Sequence, residues 1–176
     1  MKQAVGASVM AVALVAAFGM VGGSAAGAAP TCTMTGTGGD DRLIGSPHRD
    51  VICAKGGQDF IRGNGGDDVI FGGTGEDTVI AGPGADTVYG GAGGDILDGD
   101  SGGDHLFGQA GNDEIRGFKG PDTLKGGVGK DCLYTVDGVS GNDTAFGGRG
   151  HDEAGIDPGD RIVGIEETGP GFCAGD

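Results

Sequence analysis

Eleven aspartates stand nine residues apart without a slip, at Asp41, Asp50, Asp59, Asp68, Asp77, Asp86, Asp95, Asp104, Asp113, Asp122 and Asp131. Two residues after each comes a branched aliphatic: Leu43, Ile52, Ile61, Ile70, Val79, Val88, Leu97, Leu106, Ile115, Leu124 and Leu133. Two residues before each is a glycine, with His48 as the exception. A fixed period makes each repeat one structural unit stacked on the next, and it outranks any reading of local propensity. A glycine turn that ends in a carboxylate forms an oxygen-lined corner. The three residues after the aspartate then alternate outward, inward, outward, as a strand must, with the aliphatic inside.

Composition explains why such a chain needs a ligand. The 176 residues include 44 glycines and no tryptophan, and the net charge is −15. High charge with a thin apolar complement ordinarily gives disorder, unless something neutralises the acids. The sign of the charge excludes a nucleic-acid surface. The first 28 or so residues are set apart from the fold. Lys2, an apolar run from about Val5 to Val21 and the small residues Ser24 to Ala29 read as a secretory signal peptide, cleaved after Ala28 or Ala26. A membrane anchor fits less well, because Ala and Gly dilute the run and no basic stop-transfer cluster follows. Removing residues 1–28 takes Lys2 and no acid, leaving ten bases against 26 acids, a net −16. The glycine- and alanine-rich leader also points to a bacterium of high GC content.

Four cysteines in an exported chain are most simply two disulfides. Cys32 and Cys53 lie at one end of the repeat block, Cys132 and Cys173 at the other, and each pairing would staple an end where stacked repeats fray. Three connectivities are open from sequence alone. A regular coil would set Cys32 under Asp50, three residues from Cys53. That offset of roughly 10 Å exceeds the roughly 7 Å a disulfide spans. The segment must therefore leave the regular coil if this bond forms. A zinc thiolate site would need closer spacing.

Written in nines from Gly36, the chain reads GTGGDDRLI, GSPHRDVIC, AKGGQDFIR, GNGGDDVIF, GGTGEDTVI, AGPGADTVY, GGAGGDILD, GDSGGDHLF, GQAGNDEIR, GFKGPDTLK and GGVGKDCLY. After the insertion Thr135-Val136-Asp137 it resumes as GVSGNDTAF and GGRGHDEAG, and a frayed DPGDRIV ends at Val163. This resembles the RTX nonapeptide G-G-x-G-x-D-x-U-x, a calcium-binding repeat of the hemolysin type. Strict matches begin at Gly72, Gly90, Gly126 and Gly147. Turns 45–50 and 54–59 depart most, with His48 and Ala54 in place of glycine.

The resemblance implies an all-β, right-handed parallel β-roll (a β-solenoid) with two nonapeptides per 18-residue coil. It would occupy 29–163, with regular repeats over 36–134, the insertion at 135–137, further repeats over 138–163 and a C-terminal cap at 164–176. Aspartates 18 apart would then stack at one strand spacing, about 4.8 Å, where like charges repel by roughly 1 kcal/mol per pair even in water. Calcium accepts six to eight oxygens, carboxylate and carbonyl together, and would turn that repulsion into bonding. Magnesium prefers a tighter octahedron, and zinc or copper would want clusters that His48, His105 and His151 do not make. The expected ligands to several Ca2+ ions are Asp41, Asp59, Asp68, Asp77, Asp86, Asp95, Asp104, Asp113, Asp122, Asp131, Asp143 and Asp152.

The expected function is a secreted, extracellular, non-catalytic calcium-binding protein whose folding is coupled to calcium, with calcium as its partner and no nucleic acid or membrane span. The chain holds no H-E-x-x-H and no G-x-S-x-G, and its histidines have no nucleophile framed beside them. The alternative is a calcium-stiffened surface-recognition or adhesion module. It would use an outward column of ninth positions, Phe71, Tyr89 and Phe107, continued at Phe146. Stacking that merely steadies the ladder is the plainer account of that column.

Overall fold

A computed structural model describes residues 31–139 and 142–168. The leader and Cys173 lie outside the described residues. Two parallel sheets of eight strands face each other, and no helix occurs among these residues. The first sheet runs β1 (Met34–Thr35), β3 (Val51–Gly56), β5 (Val69–Thr74), β7 (Thr87–Ala92), β9 (His105–Ala110), β11 (Thr123–Val128), β13 (Thr144–Arg149) and β15 (Arg161–Val163). The second runs β2 (Arg42–Ile44), β4 (Phe60–Arg62), β6 (Thr78–Pro83), β8 (Ile96–Ser101), β10 (Glu114–Arg116), β12 (Cys132–Tyr134), β14 (Glu153–Gly155) and β16 (Glu167–Thr168). The chain crosses from one sheet to the other at every glycine turn, so consecutive strands never pair. This is a β-solenoid of about seven turns.

Register follows the period. Val51 pairs with Val69, Val69 with Thr87 and Thr87 with His105, each 18 residues on. At the insertion the step becomes 21, with Thr123 on Thr144 and Cys132 on Glu153. Thr135 to Asp137 are thus absorbed in one loop, and the strands beyond it keep their alignment. Past it the step contracts, Thr144 pairing with Arg161 and Glu153 with Glu167.

The predicted aliphatic column is the core. Ile52, Ile61, Ile70, Val79, Val88, Leu97, Leu106, Ile115, Leu124 and Leu133 are all at 0% exposure, continued by Ala145 and Ala154. The interior is one side chain deep from each sheet, so every β-branched or leucine side chain packs against its counterparts 18 residues away and against the facing strand.

Cys32 bonds Cys53, with a Cα–Cα distance of 6.0 Å. Strand register holds from Met34, which pairs with Ile52, while Thr33 sits in a bend whose N–H donates to Val51 O. The chain leaves the coil just before that strand, as the offset required. The second expected pairing involves Cys173 and so falls outside the described residues.

The outward aromatic column is stacked on itself. Phe71 and Tyr89 lie 5.1 Å apart and Tyr89 and Phe107 4.9 Å, with planes 6° and 9° from parallel. Lys125 continues it, its ammonium 5.3 Å from the Phe107 ring and 5.4 Å from that of Phe146. The ring faces are spent on one another and on a cation, which is the stabilising role of a cross-strand ladder.

Candidate metal centre

Each coil places an aspartate at each of its two corners. One row holds Asp41, Asp59, Asp77, Asp95, Asp113 and Asp131, and Asp152 follows across the insertion. The other holds Asp50, Asp68, Asp86, Asp104, Asp122 and then Asp143. A single hydrogen bond links neighbours within a row: the backbone N–H of each aspartate donates to Oδ1 of the next, at 2.7–3.0 Å. One carboxylate oxygen is therefore consumed in holding turn to turn.

The other oxygen is not. Oδ2 of Asp59, Asp68, Asp77, Asp86, Asp95, Asp104, Asp113, Asp122, Asp131, Asp143 and Asp152 is buried and has no hydrogen-bond partner. A buried polar atom left unpaired costs about 1–3 kcal/mol, and more when it carries charge. Eleven such atoms in two lines is not the pattern of a structure at rest without a counter-ion. Burial drives the carboxyls upward in pKa, to about 7 for Asp95, Asp104, Asp131 and Asp143 and about 6 for Asp86, Asp113 and Asp122. The accepted N–H bond opposes the shift in each, and for Asp86, Asp95, Asp104, Asp131 and Asp143 neighbouring row carboxylates add to it.

Glycine permits the close approach. A methyl group built on Gly72 would lie 2.5 Å from Gly90 O and 2.6 Å from Asp77 Oδ2. Carbonyl and carboxylate oxygens thus converge on the inner side of the turn. The fourth residue of the turn is more constrained still. Gly75, Gly93 and Gly111 have φ of 120°, 135° and 140°, and a Cβ on any of them would strike the carbonyl of the turn below. At the second residue a smaller positive φ, between 64° and 84°, is held by the non-glycines Lys55, Asn64, Asp100, Gln109 and Phe118. Such φ values persist in side-chain-bearing residues only where the surroundings impose them, and they concentrate at functional sites.

No three carboxylate, imidazole or thiolate side chains converge on one point among the described residues. A site here must be completed by backbone carbonyls, which suits calcium and not zinc. The expected residues therefore take their places in two rows, with one difference. Asp41 is only partly buried and its Oδ2 is hydrogen-bonded within its own turn, like that of Asp50. Two acids that the nonapeptide frame does not mark extend the rows. Asp143 N–H faces Asp160 Oδ1 at 3.4 Å, and Asp152 N–H donates to Glu166 Oε2 at 2.8 Å. Asp160 stands 17 residues after Asp143 and Glu166 only 14 after Asp152, so a nine-residue template passes over both.

Four copies of the RTX calcium-binding nonapeptide repeat match the chain, over residues 33–61, 62–97, 98–133 and 137–153. The chain belongs to that family. The matches cover well over half of its length, and the gap between the last two falls on the insertion. No protein of curated function matches the chain. Membership accounts for the two rows: RTX repeats bind calcium, and the buried aspartate series has the oxygen chemistry for it.

Proposed function

We propose that this RTX protein is a secreted, non-catalytic calcium-binding roll whose folding is completed by the ions it binds. The observation that carries the reading is the line of orphaned Oδ2 atoms. Without a cation they oppose folding, and with calcium between successive turns each becomes a ligand beside the carbonyls of the glycine turns. Because the sites exist only in the folded coil, binding free energy becomes folding free energy. Export is supported by the signal-like segment 1–28 and by the Cys32–Cys53 disulfide, which persists in oxidising compartments. Of the expected ligands, those whose Oδ2 is left for an ion are Asp59, Asp68, Asp77, Asp86, Asp95, Asp104, Asp113, Asp122, Asp131, Asp143 and Asp152.

Far-UV circular dichroism decides the matter. Protein in chelator should lack most of its β signal, and millimolar calcium should restore it. Equal β content in both conditions would refute the coupling.

A further inference from the structure

The two turns at the N-terminal end, 36–41 and 45–50, are built differently from those that follow. In turns such as 54–59, 63–68, 72–77 and 90–95 the second and fourth residues both have positive φ, for example Lys55 at 84° and Gly57 at 111°. Thr37, Gly39, Ser46 and His48, at the same places in the first two turns, lie outside that region. The change of backbone brings a side-chain hydroxyl onto the aspartate. Asp41 Oδ2 accepts the Thr37 N–H at 2.6 Å and its hydroxyl at 2.8 Å. Asp50 Oδ2 accepts the Ser46 N–H at 2.7 Å and its hydroxyl at 2.9 Å. These are the oxygens that stay unpaired in the later turns.

A second, independent feature points the same way. The Lys55 ammonium donates to Gly36 O at 2.8 Å, and the Asn64 side-chain amide donates to Gly45 O at 2.6 Å. The first carbonyl of each row thus receives a donor from the chain, and in one row that donor is a tethered cation. Hydroxyl, amide and ammonium together supply what an ion would supply. The same arrangement explains His48: a turn that takes no left-handed fourth residue needs no glycine there.

Building on the calcium reading above, we infer that turns 36–41 and 45–50 are metal-free caps and that the calcium rows begin at Asp59 and Asp68. Asp41 then leaves the ligand set that the sequence period assigns to it. The Cys32–Cys53 bond spans both caps, so the first coil is closed covalently where ions do not close it.

Counting bound calcium per chain by native mass spectrometry tests this on the full protein. Asp41→Asn and Asp50→Asn should hold as many ions as wild type, whereas Asp77→Asn and Asp86→Asn should each hold fewer. The double variant Thr37→Gly/Lys55→Gly, which removes hydroxyl and ammonium and allows left-handed φ, should gain one ion. Loss of an ion in folded Asp41→Asn or Asp50→Asn overturns the cap, as does a double variant that folds and gains none. A wild-type protein that binds no calcium overturns the parent reading and this inference with it; unchanged counts in Asp77→Asn and Asp86→Asn remove only the assignment of the rows.

Discussion

Acid should do part of calcium's work in the ion-free protein. Seven row carboxyls have folded-state pKa values of about 6 or 7, against 3.8 for an ordinary aspartate, and burial is the leading cause in each. The raised value means that the folded chain binds protons that the unfolded chain has released. Stability without calcium therefore falls as pH rises from about 4 to about 7, and is recovered as pH is lowered through that window. One pKa unit corresponds to ~1.4 kcal/mol. If coupling and water left each of the seven with a single unit, the total would be roughly 10 kcal/mol, the whole stability of a typical domain. Protein stripped of metal by dialysis, since chelators themselves protonate in acid, should show no cooperative β melt at pH 8 and a clear one at pH 5. The calcium-loaded protein should behave oppositely, losing affinity below pH 7 as protons compete. A neutral isostere separates this from a general charge effect. Without calcium at pH 8, where wild type shows no cooperative melt, Asp95→Asn/Asp104→Asn should recover part of one, and it should bind calcium more weakly. Ion-free stability that is flat or falling from pH 8 to pH 5 would refute the reasoning.

Two further outcomes follow from the interior and the turns. Leu97 is fully buried between Val79 and Ile115, so Leu97→Asp should cost several kcal/mol and broaden the calcium-induced transition by splitting the roll into weakly coupled halves. Thr87→Asp, on the outer face, should barely move a calcium titration followed by circular dichroism. Gly93→Ala should cost at least ~1–2 kcal/mol from its left-handed backbone alone, beyond the clash with the turn below. Gly72→Ala has no left-handed φ and should cost less, only the shift that relieves its close contact with Gly90 O, since Ala54 and Ala81 are accommodated at that place in their own turns. Thermal melts in saturating calcium compare the two.

Much of this molecule is legible in its sequence because one period governs strand, core and corner together. The alternation after each aspartate identifies the buried aliphatics from Ile52 to Leu133, and the insertion at 135–137 shows as a break in phase. What the period hides is any difference between residues that share a phase. Asp41 and Asp77 look alike in the frame, yet a hydroxyl four residues earlier satisfies one and not the other. That signal was present in Thr37 and Ser46, at a place where later turns most often carry glycine. Lys125 was hidden for the opposite reason. It shares no chemistry with Phe107 and Phe146, but stacking between them is geometrically the next rung of the ladder. Asp160 and Glu166 escape because the C-terminal turns shorten, so that spatial continuation no longer means a fixed count along the chain.

The row has a direction, and its two ends therefore need different chemistry. Each aspartate accepts at Oδ1 from the turn before it and donates its N–H to the turn after it. At the beginning, Oδ1 lacks a donor and Oδ2 lacks a neighbouring turn with which to share an ion. Thr33 repairs the first defect in one row, its hydroxyl lying 3.0 Å from Asp50 Oδ1, and Thr37 and Ser46 repair the second in both. At the far end the defect is an N–H without an acceptor, and an acid repairs it at whatever spacing the chain allows: Asp160 for Asp143 and Glu166 for Asp152. Hydroxyls begin the rows and carboxylates end them because the start wants donors and the finish wants acceptors. An ion bridges two turns of like kind and so belongs between these ends. On the calcium reading proposed above, that puts the calcium requirement in the middle of the roll and leaves its first coil to the disulfide and the hydroxyls.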